Sequence, residues 1–214
     1  MPTTLTRSAA AAVLDKLFAA AFNDDAAVPD PSLATATAQE RADALRDIYM
    51  PVSPQGGELL YSLVRTGRPR TVVEFGTSHG ISTIYLAAAV ADNGAGHVYT
   101  TELSAAKVAA ARANIAEAGL SDVVTVLPGD ARETLADVAG PIDLVLLDGW
   151  KELCLPVLRQ LEPRLRPGAL VVADDTTFAS MADYLAYVRD PANGYVTVDF
   201  PVADGMELSC FTPS

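Results

Sequence analysis

Apolar residues recur at helical spacing in the first third of the chain and as short continuous runs after it. Val13, Leu14, Leu17, Phe18, Ala21 and Phe22 share one face of an alanine-rich segment, so Leu5 to Phe22 reads as an amphipathic helix. Asn23 to Pro31 reads as a loop, with Asn, Asp and two prolines as breakers. A second helix is predicted over Thr37 to Tyr49, where Leu45, Ile48 and Tyr49 share a face. The stretch MPVSPQGG, Met50 to Gly57, is expected to be irregular, and a third helix to run from Glu58 to Thr66. These helices are expected to cap a sheet or to lie against a partner subunit.

From Thr71 the pattern changes. Compact β-prone runs predict strands at Thr71–Phe75, His97–Thr101, Val123–Leu127, Ile142–Leu147 and Ala169–Ala173. Helices are predicted between and after them, at Gly80–Ala91, Ser104–Ala118, Ala131–Val138, Leu153–Arg166 and Ser180–Arg189. Two last strands, Tyr195–Pro201 and Met206–Thr212, flank Asp204-Gly205, a hairpin signal. Repeated βα units impose a parallel sheet with right-handed crossovers. The expected fold is α/β: a doubly wound, Rossmann-like, seven-stranded sheet, mostly parallel, with an antiparallel last strand and an N-terminal helical cap. One domain is expected over residues 1–214, with the cap at 1–66 and the core at 67–214.

Composition narrows the function classes. Half of the 214 residues are hydrophobic, yet no apolar run reaches the roughly 18 residues of a membrane span. The N-terminus lacks the uninterrupted apolar core of a signal peptide, so a soluble cytoplasmic protein is expected. A net charge of −12 and the lack of a basic stripe argue against nucleic acid. Cys154 and Cys210 are far apart and form no C-x-x-C pattern, so buried reduced thiols are expected.

The chemistry starts at Thr71–Ser82, TVVEFGTSHGIS. It reads as strand, glycine turn and helix start, a unit that presents backbone N–H groups at the carboxyl edge of a parallel sheet. The spacing is E-x-G-x-x-x-G rather than G-x-G-x-x-G. An acid at Glu74 suits a cofactor with a positive amino acid end better than a dinucleotide pyrophosphate. That points to S-adenosylmethionine (SAM) rather than NAD. Acids recur where the other strands end. Glu102 can accept hydrogen bonds from ribose hydroxyls. Asp130 can face an adenine amino group or cap the next helix. Asp148, Asp174 and Asp175 would gather at adjacent strand ends, where a divalent cation, Mg²⁺ for preference, relieves their repulsion. The alternative is that Asp174 or Asp175 caps a helix and the other is solvated. Lys151 can swing toward Asp148 and, beside a cation, have its pKa lowered enough to act as a base. Trp150 can stack on adenine or pack in the core.

With these residues in view, residues 45 to 212 resemble the class I SAM-dependent methyltransferases, and more closely the cation-dependent catechol and caffeoyl-coenzyme A O-methyltransferases. LLDGWKELCLPVL, Leu146 to Leu158, is similar to the catechol enzyme's metal-and-lysine segment. The resemblance implies that Asp148 binds Mg²⁺, Trp150 lies on the adenine and Lys151 deprotonates the hydroxyl. VVADDTTF is similar to the second metal segment, with Asp174 matching and Asp175 replacing the usual Asn. The glycine segment implies cofactor contacts at Glu74, Gly76, Ser78 and Ser82, with Ser78 where the catechol enzyme has an aromatic residue. Glu102 matches the ribose-binding acid, and Asp130, Ala131 and Arg132 fall near the adenine. Met50 to Gly57 is similar to the segment closing over the methionine end, with Val52 as a backbone contact. Asp199 is near the place of a substrate-holding acid, and His79 reads as a turn residue.

The implied reaction is direct methyl transfer from SAM to a hydroxyl of a small, catechol-like acceptor, with Asp148 and Lys151 catalytic. A NAD(P)-dependent oxidoreductase and a metal-independent or non-catalytic SAM-binding protein stand as alternatives. The apolar faces of the N-terminal helices suggest a homodimer.

Overall fold

Valine, isoleucine and leucine occupy both faces of the strands, which requires helices on both sides. The computed structural model describes residues 3–6, 9–24, 33 and 35–213, and within them it shows that sandwich. The elements run α1 (Ala9–Asp24), α2 (Ala38–Ala44), α3 (Pro54–Gly67), β1 (Thr71–Phe75), α4 (Ile81–Asn93), β2 (His97–Glu102), α5 (Ala105–Glu117) and β3 (Val124–Pro128). They continue α6 (Ala131–Thr134), β4 (Ile142–Leu147), α7 (Cys154–Leu161), β5 (Leu165–Asp174), α8 (Ala182–Arg189), β6 (Tyr195–Phe200) and β7 (Met206–Phe211). The expected loop at Asn23–Pro31 falls outside the described residues from position 25 onward. No described helix is long and apolar enough to cross a membrane.

The strand order is β3-β2-β1-β4-β5-β7-β6. The first five strands pair in parallel, and β7 runs antiparallel to both β5 and β6. From β1 the chain steps outward to β2 and β3, then returns to place β4 on the other side of β1. That reversal opens a crevice at the carboxyl ends of β1 and β4, the usual ligand position in such sheets.

Alternate strand residues face opposite layers. Val72, Val98, Leu144, Leu146 and Val172 pack under α4, α5, α3 and α1, while Val73, Val145, Leu147 and Val171 pack under α7 and α8. Each fully buried leucine or valine contributes about 1.5–3 kcal/mol. The expected cap therefore divides. α1 and α3 belong to one layer of the sandwich, with Val13, Leu17, Leu60 and Val64 buried against the chain's own core. Phe22, expected on the buried face of α1, is 80% exposed. α2 and the segment after it lie instead at the cleft.

Several boundaries differ from expectation. α2 ends at Ala44 rather than Tyr49; its start is fixed by a capping box between Thr37 and Glu40. α3 begins at Pro54, inside the stretch expected to be irregular. Ser53 is its N-cap and accepts from the Gly56 N–H at 3.0 Å. Proline is tolerated at the first helical position because its missing N–H would have no partner there. Gly57 is required by packing, since a Cβ would enter the Tyr85 ring of α4. α6 is a single turn, and α7 is flanked by tight turns at Lys151–Leu153 and Glu162–Arg164.

Candidate active site

The crevice is built by two close backbone approaches. Gly76 follows β1 at φ 106°, and a Cβ there would lie 2.6 Å from the Asp148 carbonyl oxygen. Gly149, after β4, packs against the Phe75 ring with no room for a side chain. The Asp148 N–H donates to the Phe75 carbonyl at 2.8 Å, which ties the two loops together. Ser78 in the glycine turn holds a left-handed backbone at φ 47°. Its N–H donates to Glu102 Oε2 and the Ser104 N–H to Glu102 Oε1, both at 2.8 Å. Two backbone donors thus orient the Glu102 carboxylate at the end of β2.

These loops border a cleft of about 640 Å³. Val52, Gly76, Ser78, Ser82, Glu102, Asp130, Ala131, Asp148 and Trp150 all line it, as do Lys151 and Asp175. Glu74 does not. It is fully buried beneath α4, where the Thr83 and Thr100 hydroxyls each donate to its Oε2 at 2.5 Å. Among the described residues its Oε1 has no hydrogen-bond partner. Desolvation raises the Glu74 pKa to about 7, against nearby Ser82, Thr100 and Thr83, which favour the charged form. The Glu102 carboxylate on the cleft fits the hydroxyls of the SAM ribose, and the bare Gly76 Cα is what lets the loops after β1 and β4 meet.

Asp130 meets the second of its two sequence readings, as the cap of the next helix. It borders the cleft and also caps α6, accepting from the Arg132 N–H at 2.9 Å. The Arg132 guanidinium beside it holds its pKa below the usual range. Trp150 is half-buried, with the Arg41 guanidinium of α2 4.5 Å above its ring centroid and Arg41 also paired to Glu152. His79 stacks on Tyr49 with ring centroids 4.0 Å apart. Burial, then the charge of Lys107, lower its pKa to about 4, so it stays neutral in its turn. Asp199 is exposed on β6 away from the cleft, and the hairpin acid that lines the cleft is Asp204.

At the floor, Asp148, Asp174 and Asp175 offer carboxylate oxygens that all lie within 4.8 Å of one another. Lys151 Nζ stands 2.9 Å from Asp148 Oδ1 and 2.9 Å from Asp175 Oδ2. One lysine does not neutralise three acids. Desolvation, followed by Asp148 and Asp175, pushes Asp174 up to about 8. Desolvation also raises Asp148, against the pull of Lys151. An oxygen set of this charge fits a hard divalent cation. Burial would lower the Lys151 pKa, but Asp148 and then Asp175 outweigh burial and raise it, so the lysine is the counter-ion of the acids. Asp175 adopts φ 59°, a conformation that Asn and Asp tolerate better than most residues. Cys154 and Cys210 are free thiols, and burial pushes Cys154 up to about 12.

Sequence reasoning missed Lys107 and Tyr49 as cleft residues, whereas Phe178 and Asp204 fall in the Asp175–Ser180 loop and the final hairpin, both expected to line the pocket. Lys107 carried a signal: it is a cation in the first turn of a helix, where the dipole disfavours it.

Comparison with known proteins agrees with this geometry. The sequence model of a family described as a methyltransferase domain matches residues 73–176. A catechol O-methyltransferase of Mycobacterium tuberculosis is 38% identical over 157 residues, covering 72% of this chain and 70% of that relative. The crystal structure of cofactor-bound Rv0187 from MTB superposes with a TM-score of 0.71 at 30% identity, over 91% of this chain and 96% of that one. The O-methyltransferase TomG from Streptomyces achromogenes, in complex with SAM, gives a TM-score of 0.67 at 25% identity, over 90% and 94% of the two chains.

Proposed function

Because the chain belongs to the class I SAM-dependent O-methyltransferases of the catechol and caffeoyl-coenzyme A type, we propose that it methylates one hydroxyl of a vicinal pair on a small, catechol-like acceptor. The observation that carries this reading is the meeting of Asp148, Asp174, Asp175 and Lys151 on one side of the cleft that Glu102 and Ser82 border on the other. Met50 and Phe178, each 47% exposed, add apolar surface to the lining and suit an aromatic acceptor.

The residues divide the work. Glu102 holds the ribose, Val52 and Ser82 serve the amino acid end, and Asp130, Ala131 and Trp150 flank the adenine. Bound SAM supplies an electrophilic methyl group on a sulfonium. A divalent cation, Mg²⁺ for preference, held by Asp148, Asp174 and Asp175, would supply Lewis acidity that lowers the pKa of the acceptor hydroxyl. Lys151 takes the hydroxyl proton. Its two carboxylate neighbours hold it as an ammonium when their charge is uncompensated, so it accepts a proton only when that charge is offset. The rigid strand ends contribute by fixing where acceptor and donor meet.

The test is Lys151→Ala, assayed with SAM and catechol-like acceptors in Mg²⁺. Turnover should fall about 100-fold or more, the usual range for losing a general base, while calorimetric binding of S-adenosylhomocysteine is kept. Unchanged turnover would remove the lysine from the mechanism.

A further inference from the structure

Lys107 has been taken out of water with no ion pair among the described residues, although the charge of Glu102 acts on it from a distance. It is 3% exposed and sits three residues after Ser104, the N-cap of α5. An acid is favoured at that position by the helix dipole and could complete a capping box; a lysine opposes the dipole. Among the described residues its Nζ has one hydrogen bond, to the neutral Ser78 hydroxyl at 3.2 Å. That hydroxyl donates to the Tyr49 carbonyl at 2.7 Å, so its own proton is engaged. An ammonium has three protons to donate. Leaving the others unmatched in a buried position is costly, so a ligand acceptor would relieve it.

The site is continuous with the ribose acid. Lys107, Ser78 and Glu102 all line the cleft, and the Ser78 residue that accepts from Lys107 also donates its N–H to Glu102. Glu102 accepts hydrogen bonds and Lys107 donates them. Together they match a hydroxyl, which does both.

Resting on the methyltransferase reading above, we propose that Lys107 is a further cofactor-binding residue, whose ammonium donates to a ribose hydroxyl shared with Glu102. The enzyme would thereby distinguish a ribose from a deoxygenated sugar with a donor as well as an acceptor.

Calorimetric titration separates the outcomes. Wild type and Lys107→Met are titrated with S-adenosylhomocysteine and with its analogue lacking both ribose hydroxyls. Lys107→Met should bind the complete ligand about tenfold or more weakly, the scale of a lost charge-assisted hydrogen bond. That penalty should vanish for the deoxygenated analogue. Equal affinity of the two proteins for the complete ligand would overturn the proposal. So would a penalty of the same size with the analogue, which would show the lysine acting elsewhere. If the methionine variant does not fold, Lys107→Leu, which also lacks a donor, is read by the same two titrations. Failure of wild type itself to bind S-adenosylhomocysteine would instead overturn the methyltransferase reading, and this proposal with it.

Discussion

Replacing Glu74 by glutamine should make the protein more stable at pH 8, although it alters a fully buried side chain. The carboxyl titrates near 7 in the folded protein, against an ordinary value of 4.5. Between those values the folded state holds a proton that the unfolded state has released. Stability therefore falls as pH rises through that window, by up to about 1.4 kcal/mol per pH unit. The whole effect is about 3 kcal/mol, fully present as stabilisation below pH 4.5 and lost above pH 7. Glutamine carries no such titration and can still accept from the Thr83 and Thr100 hydroxyls. For a chain of this length, about 3 kcal/mol corresponds to roughly 6–12 °C in Tm. The assay is guanidinium unfolding of both proteins, followed by circular dichroism at pH 5, 6, 7 and 8. Chelator is present, and no cofactor is added. The difference between the two proteins isolates Glu74 from every other titrating group. A difference that stays flat from pH 5 to 8, or that favours wild type increasingly with pH, would refute the reasoning.

Two further substitutions probe packing and the acid cluster. Gly57→Ala should lose about 2 kcal/mol of stability, because the new methyl meets the Tyr85 ring in the α3–α4 contact; a Tm within 1 °C of wild type, read with the roughly 2–4 °C per kcal/mol expected at this size, would show that the ring yields freely. Asp175→Asn removes one charge from the cluster while keeping a residue suited to φ 59°. Mg²⁺ affinity by calorimetry should drop about tenfold, because ligand charge tunes affinity; an unchanged affinity would take Asp175 out of the ligand set.

The sheet was legible in the sequence because its strands are buried on both faces and therefore read as continuous apolar runs. Glu102 and Asp148 were legible for a related reason. In a parallel sheet, the residue that ends a strand stands at the ligand edge, so position alone nominates it. The start of α3 was missed. Its local signals, Ser53 as N-cap and Pro54 at the first helical position, were masked by two glycines that resemble a break; Gly57 is there because the Tyr85 ring, almost thirty positions away in sequence, leaves no room for a Cβ. Lys151 was legible as a participant beside Asp148, but its second carboxylate partner was not. The 2.9 Å contact with Asp175 is set by the folding of two separate strand ends. Lys107 carried only the faint signal of a cation in the first turn of a helix, and its burial is what marks it out.

The Arg41 and Trp150 pair has a practical consequence. Trp150 is the chain's single tryptophan, so all intrinsic tryptophan fluorescence comes from one address, at the rim of the cleft. The guanidinium over its ring belongs to α2, a seven-residue helix attached to the body through few buried side chains. Short, sparsely buried elements open before the core does. When α2 lifts, the indole exchanges a cation for water, and its emission moves to longer wavelength. The molecule thus carries a native optical gauge of its cleft roof, readable without any added label.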